Sequence, residues 1–476
     1  MVQDERIAEL EALVARQQLQ NEQLLAVNAE LRARVQELEA RLAKDSHNSS
    51  KPPSSDGWRR KTKSLRRRSG KATGGQLGHR GETLHQVATP DEVVEHRPAV
   101  CAQCQTPLEG EPVVLRERRQ VLELPALRLR VREHQAVQVR CPQCQHVSLG
   151  TFPAEAPSRA QYGPRLRALS VYLIEQQFVP YGRVRALLAD LFGAQLSEGT
   201  LVAWVQQGAT TLAPVEAELK AALRRAAVLH NDETGVRRAG TLAWAHVAST
   251  NRLTHYAIAA KRGTEATDAI GILPGFTGVS VHDGWAPYRH YTQCRHALCN
   301  IHHLRELTFV EEQYQQTWAK ELKDLLLEMK TAVEEARTSG RRQLPTTTRQ
   351  VFVARYRKLL AAGHAANPPP ERRPRQRGRV KQTPVRNLLE RLWLGQDEVL
   401  RFLDDLTIPF DNNQAERDLR LLKVQQKVSG CFRSDHGAAA FARLRGYLST
   451  LSKQGLALLA ALESVFAGHP LYPQFA

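Results

Sequence analysis

The chain lacks any long apolar run. Nowhere in its 476 residues do roughly 18 consecutive apolar residues occur, the length a membrane-spanning helix needs. No membrane segment is therefore expected. The opening residues, MVQDERIAEL, are charged and lack the apolar core of a secretory signal, so the expected location is cytoplasmic. Acid is in deficit: 49 Asp and Glu stand against 67 Lys and Arg, a formal charge of +18. That surplus predicts an anionic polymer as partner, with nucleic acid the usual one. A basic soluble enzyme without such a partner is the plainer alternative. Cysteine is scarce and odd in number, seven in all, and four of these form two C-x-x-C pairs. In a cytosolic chain that pattern argues for metal rather than a disulfide framework. There is no internal repeat, and the length suggests about three domains.

Residues 1–44 contain no Gly or Pro and repeat with a heptad period. Ile7, Leu10, Val14, Gln17, Asn21, Leu24, Asn28, Leu31, Val35, Leu38 and Leu42 fall on successive a and d positions. The pattern predicts a coiled coil, and Asn21 and Asn28 at a positions favour an in-register dimer. One amphipathic helix packed on its own chain is the alternative. Residues 45–57 are Ser/Pro-rich and read as a linker. Residues 59–80 carry nine Lys or Arg and no acid. Arg59, Arg60, Lys61, Lys63, Arg66, Arg67, Arg68 and Lys71 thus form a candidate basic arm for DNA phosphates.

Short strands are expected around the cysteines over 90–155, as in VVLRERRQVLEL and LRLRVREHQAVQV. Residues 160–222 read as helical. Gly193 serves there as a turn and Ser197 as an N-cap, in a pattern that resembles a helix-turn-helix. AAVLHNDETGV, TLAWAHVAST, RLTHYAIAA and TGVSVHDGW read as four strands, with TEATDAIGIL a helix before the last. Helices follow over 301–365, 385–405 and from 411 onward, around a basic proline-rich loop at 367–384.

Two constellations carry chemistry. Cys101-x-x-Cys104 and Cys141-x-x-Cys144, 36 residues apart, can offer four thiolates to one tetrahedral structural Zn²⁺. A softer cluster, Cys294, His296, Cys299, His302 and His303, contains one ligand-spaced pair but also reads as a core-packed helix start. Asp232 and Asp283 each end an apolar run, where an unpartnered carboxylate is costly. Glu416 lies on the first turns of a helix announced by Pro409 and Asp411-Asn412-Asn413. Three such acids can hold two Mg²⁺ for phosphodiester chemistry. Acids on strand one, after strand four and on a late helix follow the layout of the ribonuclease-H-like fold. From spacing alone, the same acids could equally serve as turn and cap residues.

SHNSSKPPSSDG followed by GGQLGHRGETL, CAQC…CPQC, HNDETGVR with Trp244, VHDGWAPY, CNIHHLREL and DNNQAERDLR occur in that order. Together, and over nearly the whole chain, they resemble the transposases of the insertion sequence 66 family. The resemblance implies a multidomain α+β protein. Its parts would be a coiled coil (1–44), a linker and basic arm (45–85), a zinc-binding domain (90–155) and a helical region (160–222). A ribonuclease-H-like catalytic core (223–300 and 405–450) would follow, with a helical insertion (301–404) and a C-terminal helical element (451–476). It implies Mg²⁺- or Mn²⁺-dependent cleavage at element ends and strand transfer into target DNA, with Asp232, Asp283 and Glu416 as the triad. Asn412, Asn413, Arg417 and Arg420 would orient Glu416 or contact phosphate. Partners would be terminal-repeat and target DNA, a second copy of the chain, and small accessory proteins. Glu306 and the segment KVQQKVSGCFRS depart from the family pattern. A non-catalytic DNA-binding regulator and a structure-specific nuclease are the rival functions.

The heptads generate a direct test. Light scattering should give a dimer or larger for the full chain, and deletion of residues 1–44 should lower the mass. A clean monomer at micromolar concentration would refute the coiled coil.

Overall fold

The structure, a computed structural model, describes residues 2–49, 56, 74–76, 78–79, 81, 83–370, 378 and 380–475. The eight basic residues proposed for the arm, Arg59 to Lys71, lie outside the described residues.

Helix α1 (Val2–Leu42) is a single 41-residue helix. Its heptad side chains Ile7, Leu10, Val14, Leu24, Leu31, Val35 and Leu38 are between 43% and 57% exposed, so the chain does not cover this stripe with its own core. After α1, residues read as linker in fact form a bonded turn. The Asp45 amide donates to Asn48 Oδ1 (2.9 Å), and Asn48 Nδ2 donates to Ala43 O and to Glu312 Oε2, both at 3.2 Å. Asn48 is buried there.

The region of the C-x-x-C pairs carries less regular structure than its sequence suggests. Only a three-residue hairpin forms, β1 (Gln138–Arg140) against β2 (Val147–Leu149). Residues 113–137 form no strand, and Val114, Leu115, Val121 and Val131 stand at least 86% exposed. A strand persists when a neighbour takes its ladder bonds and a core covers one face. Here none of the hydrophobic clusters reaches residues 90–155.

From Pro164 onward the chain packs densely. Helices α2 (Pro164–Val171), α3 (Tyr181–Phe192), α4 (Glu198–Thr211) and α5 (Ala213–Arg224) come first, with one π-helical turn at Tyr172–Gln176. Gly193 closes α3 at φ 65°, a left-handed conformation suited to glycine. The Ser197 hydroxyl caps α4 by accepting from the Thr200 amide at 3.1 Å.

Five strands form one mixed sheet: β3 (Val228–Arg238), β4 (Thr241–Ser249), β5 (Thr254–Ala259), β6 (Val279–His282) and β7 (Arg295–Leu298), in the order β5-β4-β3-β6-β7. The first three pair antiparallel; β3–β6 and β6–β7 pair parallel. Helix α6 (Thr264–Ile270) lies in the crossover to β6. Strand β7 was not anticipated. Its four residues, RHAL, fall inside the Cys/His cluster and are too few to show a period.

Helices α7 (Asn300–Tyr314), α8 (Thr317–Thr338), α9 (Thr346–Ala366), α10 (Pro384–Leu394), α11 (Gln396–Val399) and α12 (Arg401–Asp404) follow the sheet. They build a core with β6 and β7 around Leu307, Leu322, Leu326, Tyr356 and Leu389. The chain then returns. Helix α13 (Asn413–Ser429) packs on β3 and β4, and α14 (Asp435–Lys453) packs on β5 and α4. Ala415, Leu419 and Leu422 of α13 cover Val236, Ala243 and Ala245 on one sheet face. The other face meets α5 through Leu219, Leu223 and Leu229. Helix α15 (Leu458–Phe466) closes against α2. The architecture is mixed α+β, and no helix among the described residues is long and apolar enough to cross a membrane.

Strands β3 and β6 approach most tightly at Gly278, just before β6. A Cβ there would lie 2.5 Å from Ala226 O and 2.6 Å from Ala227 O, both backbone atoms that cannot swing away. Gly278→Ala should therefore cost about 1–3 kcal/mol through overpacking. Urea unfolding measures this; unchanged stability would mean that the strands do not meet so closely.

Candidate active site at the edge of the parallel strands

The parallel register pairs His230 with Val281. Two residues further along each chain, that register brings Asp232 on β3 and Asp283 just past β6 side by side. Glu416 sits on the first turn of α13, the helix that lies across β3 and β4. Asn412, at the N-cap position, bolts this helix to the strand. Its Nδ2 donates to Asn231 O and its Oδ1 meets His230 Nδ1, both at 2.8 Å, and its amide donates to Cys299 Sγ at 3.2 Å. Asn412 is 1% exposed. With α13 tied to the residue before Asp232, Glu416 on its first turn lies close enough to help raise the Asp232 carboxyl.

The electrostatics register the crowding. The Asp232 carboxyl is pushed up to about 8, first by burial and then by Glu233, Asp283 and Glu416; the Glu233 amide, donating to Asp232 Oδ1 at 2.8 Å, opposes the rise. Asp283 Oδ1 accepts from the Trp285 amide at 2.9 Å. Glu416 Oε1 is buried without a hydrogen-bond partner among the described residues, so Glu416 closes no capping box through that oxygen. A buried carboxyl raised by its acidic neighbours, with an orphaned carboxylate oxygen close by, suits a divalent cation.

Several participants escaped the sequence reading. Glu233 is buried and paired: Arg262 Nε donates to its Oε1 at 2.8 Å, and the Tyr288 hydroxyl donates to Oε2. Arg262 in turn lies over the Trp285 and Trp244 rings, at 3.9 and 4.9 Å from their centroids. Two consecutive acids on a central strand cannot both face solvent, so one must find a partner inside. That much was readable; Arg262 as the partner was not. Below Asp283, His282 Nδ1 accepts from the Gly284 amide, which puts the ring proton on Nε2, donating to His296 Nδ1 at 3.0 Å. His296 Nε2 then donates to Tyr291 O at 3.1 Å. Burial holds His282 down to about 3, so this chain is neutral and structural.

Of the remaining candidates, Asn413 is half-buried, and Arg417 and Arg420 are exposed, with Arg417 Nη2 donating to Gln414 Oε1 at 2.9 Å. The two cysteine turns are alike. Cys101 N and Cys141 N each donate at 2.8 Å, to Thr106 O and His146 O. Gln105 N and Gln145 N close the turns at 2.9 Å, with φ of 63° and 61°. The Thr106 hydroxyl, 3.2 Å from Cys104 Sγ, helps hold that thiol down at about 7. The two turns are not drawn into one shell, however. Among the described residues, three ligand atoms come within 4.8 Å of one another only at Cys299, His302 and Glu416.

Comparison with known proteins adds a direct finding. Residues 159–440 match the family model described as Transposase IS66 family. Residues 1–85 match a family of unknown function (DUF6444). No curated protein matches the chain.

The raised Asp232 carboxyl sets a pH dependence. Between its ordinary value of 3.8 and about 8, the folded state keeps a proton that the unfolded chain has lost. Cation-free stability should therefore fall as pH rises through that window and level off above it. If a divalent cation such as Mg²⁺ is held by the ionised carboxyl, its gain in Tm should be small near the acid end and largest above about pH 8. Thermal unfolding with and without Mg²⁺ across this range checks it; a pH-independent gain would exclude Asp232 from the cation site.

Proposed function

The chain belongs to the IS66 family of transposases, and from that premise we propose that Asp232, Asp283 and Glu416 form one two-metal site that cleaves and rejoins DNA at the ends of a mobile element. Membership of the family implies DNA transposition. The observation that supports the finer reading is electrostatic: Asp283, just past β6, and Glu416, on α13, both raise the buried Asp232 carboxyl of β3, and Glu416 Oε1 has no partner among the described residues. The three carboxylates are not within 4.8 Å of one another, so a bound cation would have to draw them together.

In this reading the sheet order, three antiparallel strands extended by two parallel ones, is that of a ribonuclease-H-like core. Helices α7–α12 are its insertion. Divalent ions of the Mg²⁺ or Mn²⁺ class, when bound, lower the pKa of the attacking oxygen and stabilise the leaving one. The protein's part is to hold three ionised carboxylates at fixed spacing. Asp232 and Asp283 are fixed by strand register, and Glu416 by the Asn412 anchor. In the first step water adds to a phosphodiester phosphorus, a P–O bond breaks, and a 3′-hydroxyl is released at the element end. In the second that hydroxyl attacks a target phosphodiester and displaces a target 3′-oxygen, so the number of phosphodiester bonds is conserved. Arg262, held by Glu233 between two indoles, keeps the rim of the site rigid. The exposed Arg417 and Arg420 and the basic arm, with Arg59 to Arg68 and Lys71, supply phosphate contacts. The heptad stripe of α1 pairs with a second copy, and Cys101, Cys104, Cys141 and Cys144 close on structural Zn²⁺ when both turns meet one ion.

Asp232→Asn, Asp283→Asn and Glu416→Gln keep side-chain shape but remove charge. Each alone should lower cleavage and strand transfer on the order of a thousandfold or more, and combining them should add little, as expected of groups acting as a unit. DNA affinity should survive in all three. The assay is purified protein with its element ends and Mg²⁺. Near wild-type cutting by Asp232→Asn or Glu416→Gln defeats the triad. Nicking without joining would favour a nuclease, and binding without cutting a regulator.

A further inference from the structure

Cys299 and His302 serve no role in the reaction described above, yet they cluster with Glu416. Cys299 ends β7's exit and N-caps α7, His302 lies one turn on, and Glu416 reaches them from α13. One ligand atom from each lies within 4.8 Å of the other two. We propose that Cys299, His302 and Glu416 form a second cation site, for a borderline-soft divalent ion of the Zn²⁺ class, which competes for Glu416 with the carboxylate site.

The donor set selects the ion. A thiolate and an imidazole reject hard Mg²⁺ and suit Zn²⁺, while a carboxylate oxygen completes three of its four positions. At zinc bond lengths, tetrahedral ligand atoms sit on the order of 3.5 Å apart.

Two further observations point to a missing ligand. His302 Nδ1 and Glu416 Oε1 are both buried with no hydrogen-bond partner among the described residues. Cys299 is 1% exposed, and its sulfur accepts the Asn412 amide at 3.2 Å, which fixes its position. The frame is rigid. The Asn300 amide donates to Phe410 O, and Asn300 Nδ2 to Val399 O, both at 3.0 Å, clamping the start of α7 to the approach of α13. The neighbouring His303 turns the other way, into the core beside Glu306, which Arg391 holds at 2.6 Å. Only one of the paired histidines therefore faces the cluster.

Sharing Glu416 has a consequence that rests on the triad reading. A soft ion in this site withdraws Glu416 from the hard pair, so zinc should inhibit Mg²⁺-dependent cleavage.

The test counts metal on the full-length protein. After equilibration with Zn²⁺ and removal of free ion, Cys299→Ser and His302→Ala should each hold about one zinc per chain fewer than wild type. Cys101→Ser affects only the other class of site, and Asp232→Asn should leave the zinc count unchanged. Because Cys299 is buried, His302→Gln serves as a second probe that keeps the ring's volume, with circular dichroism as the folding check. Substituting Co²⁺ adds a signature: a cobalt–thiolate charge-transfer band that survives Cys101→Ser and disappears in Cys299→Ser. Unchanged zinc content in folded His302→Ala and His302→Gln overturns the proposal. Cleavage that persists in Asp232→Asn while His302→Ala loses zinc would remove the triad and leave the cation site standing. Full site occupancy with undiminished Mg²⁺-dependent cleavage would overturn the competition for Glu416.

Discussion

A carboxyl, Asp232, buried beside other acids is the constraint on which the rest of the site depends. Asp232 is raised by burial and by three neighbouring acids, so nothing at the site itself favours its assembly without a cation. The surrounding structure must impose it. Gly278 lets β6 come close enough to β3 to set the two aspartates side by side. Asn412 anchors α13 through three hydrogen bonds, to β3 and to the start of α7. Glu233, itself one of the acids that raise Asp232, is held in place by Arg262 and Tyr288. The stability invested in these contacts offsets the repulsion they enforce, a pattern common at sites that must bind strongly charged ligands.

Much of this was legible in the residues. Helix ends were readable because capping is local: Ser197 and Gly193 act within a few residues of themselves. The first four strands were readable because each is an apolar run bounded by turns, and the acids stood out because each ends such a run. Strand β7 was not readable, since four residues carry no period and its pairing depends on β6, some 16 positions earlier. The Glu233–Arg262–Tyr288 network was hidden for the same reason: its members come from a strand, a loop and a 3₁₀ turn. In the cysteine region the error ran the other way. Residues 113–137 have strand-like composition, but composition cannot supply the missing ladder partner or covering face.

Two parts of the chain share this incompleteness. The heptad face of α1 and the apolar residues near the cysteine turns are the least covered surfaces of the described protein. In the proposed reading each is completed from outside the single chain, α1 by a second helix and the cysteine turns by an ion. The densely packed remainder, from Pro164 onward, buries four hydrophobic clusters of its own. Matches to known families divide along a similar line, with residues 159–440 in one model and residues 1–85 in another.

The buried Asn48 turn gives the long helix a mechanical meaning. At 1.5 Å per residue, α1 is a strut about 60 Å long. Asn48 and His47 fasten its base to Glu312 on α7, the helix whose first turn carries Cys299 and His302. A strut clamped at its base acts as a lever arm rather than a tether. If two such arms zip together, the distance and angle between two catalytic centres become properties of solid geometry. The spacing at which a pair of DNA ends can be held would then be dictated by the stiffness of that joint, and lengthening the turn by a few residues would convert a calliper into a hinge.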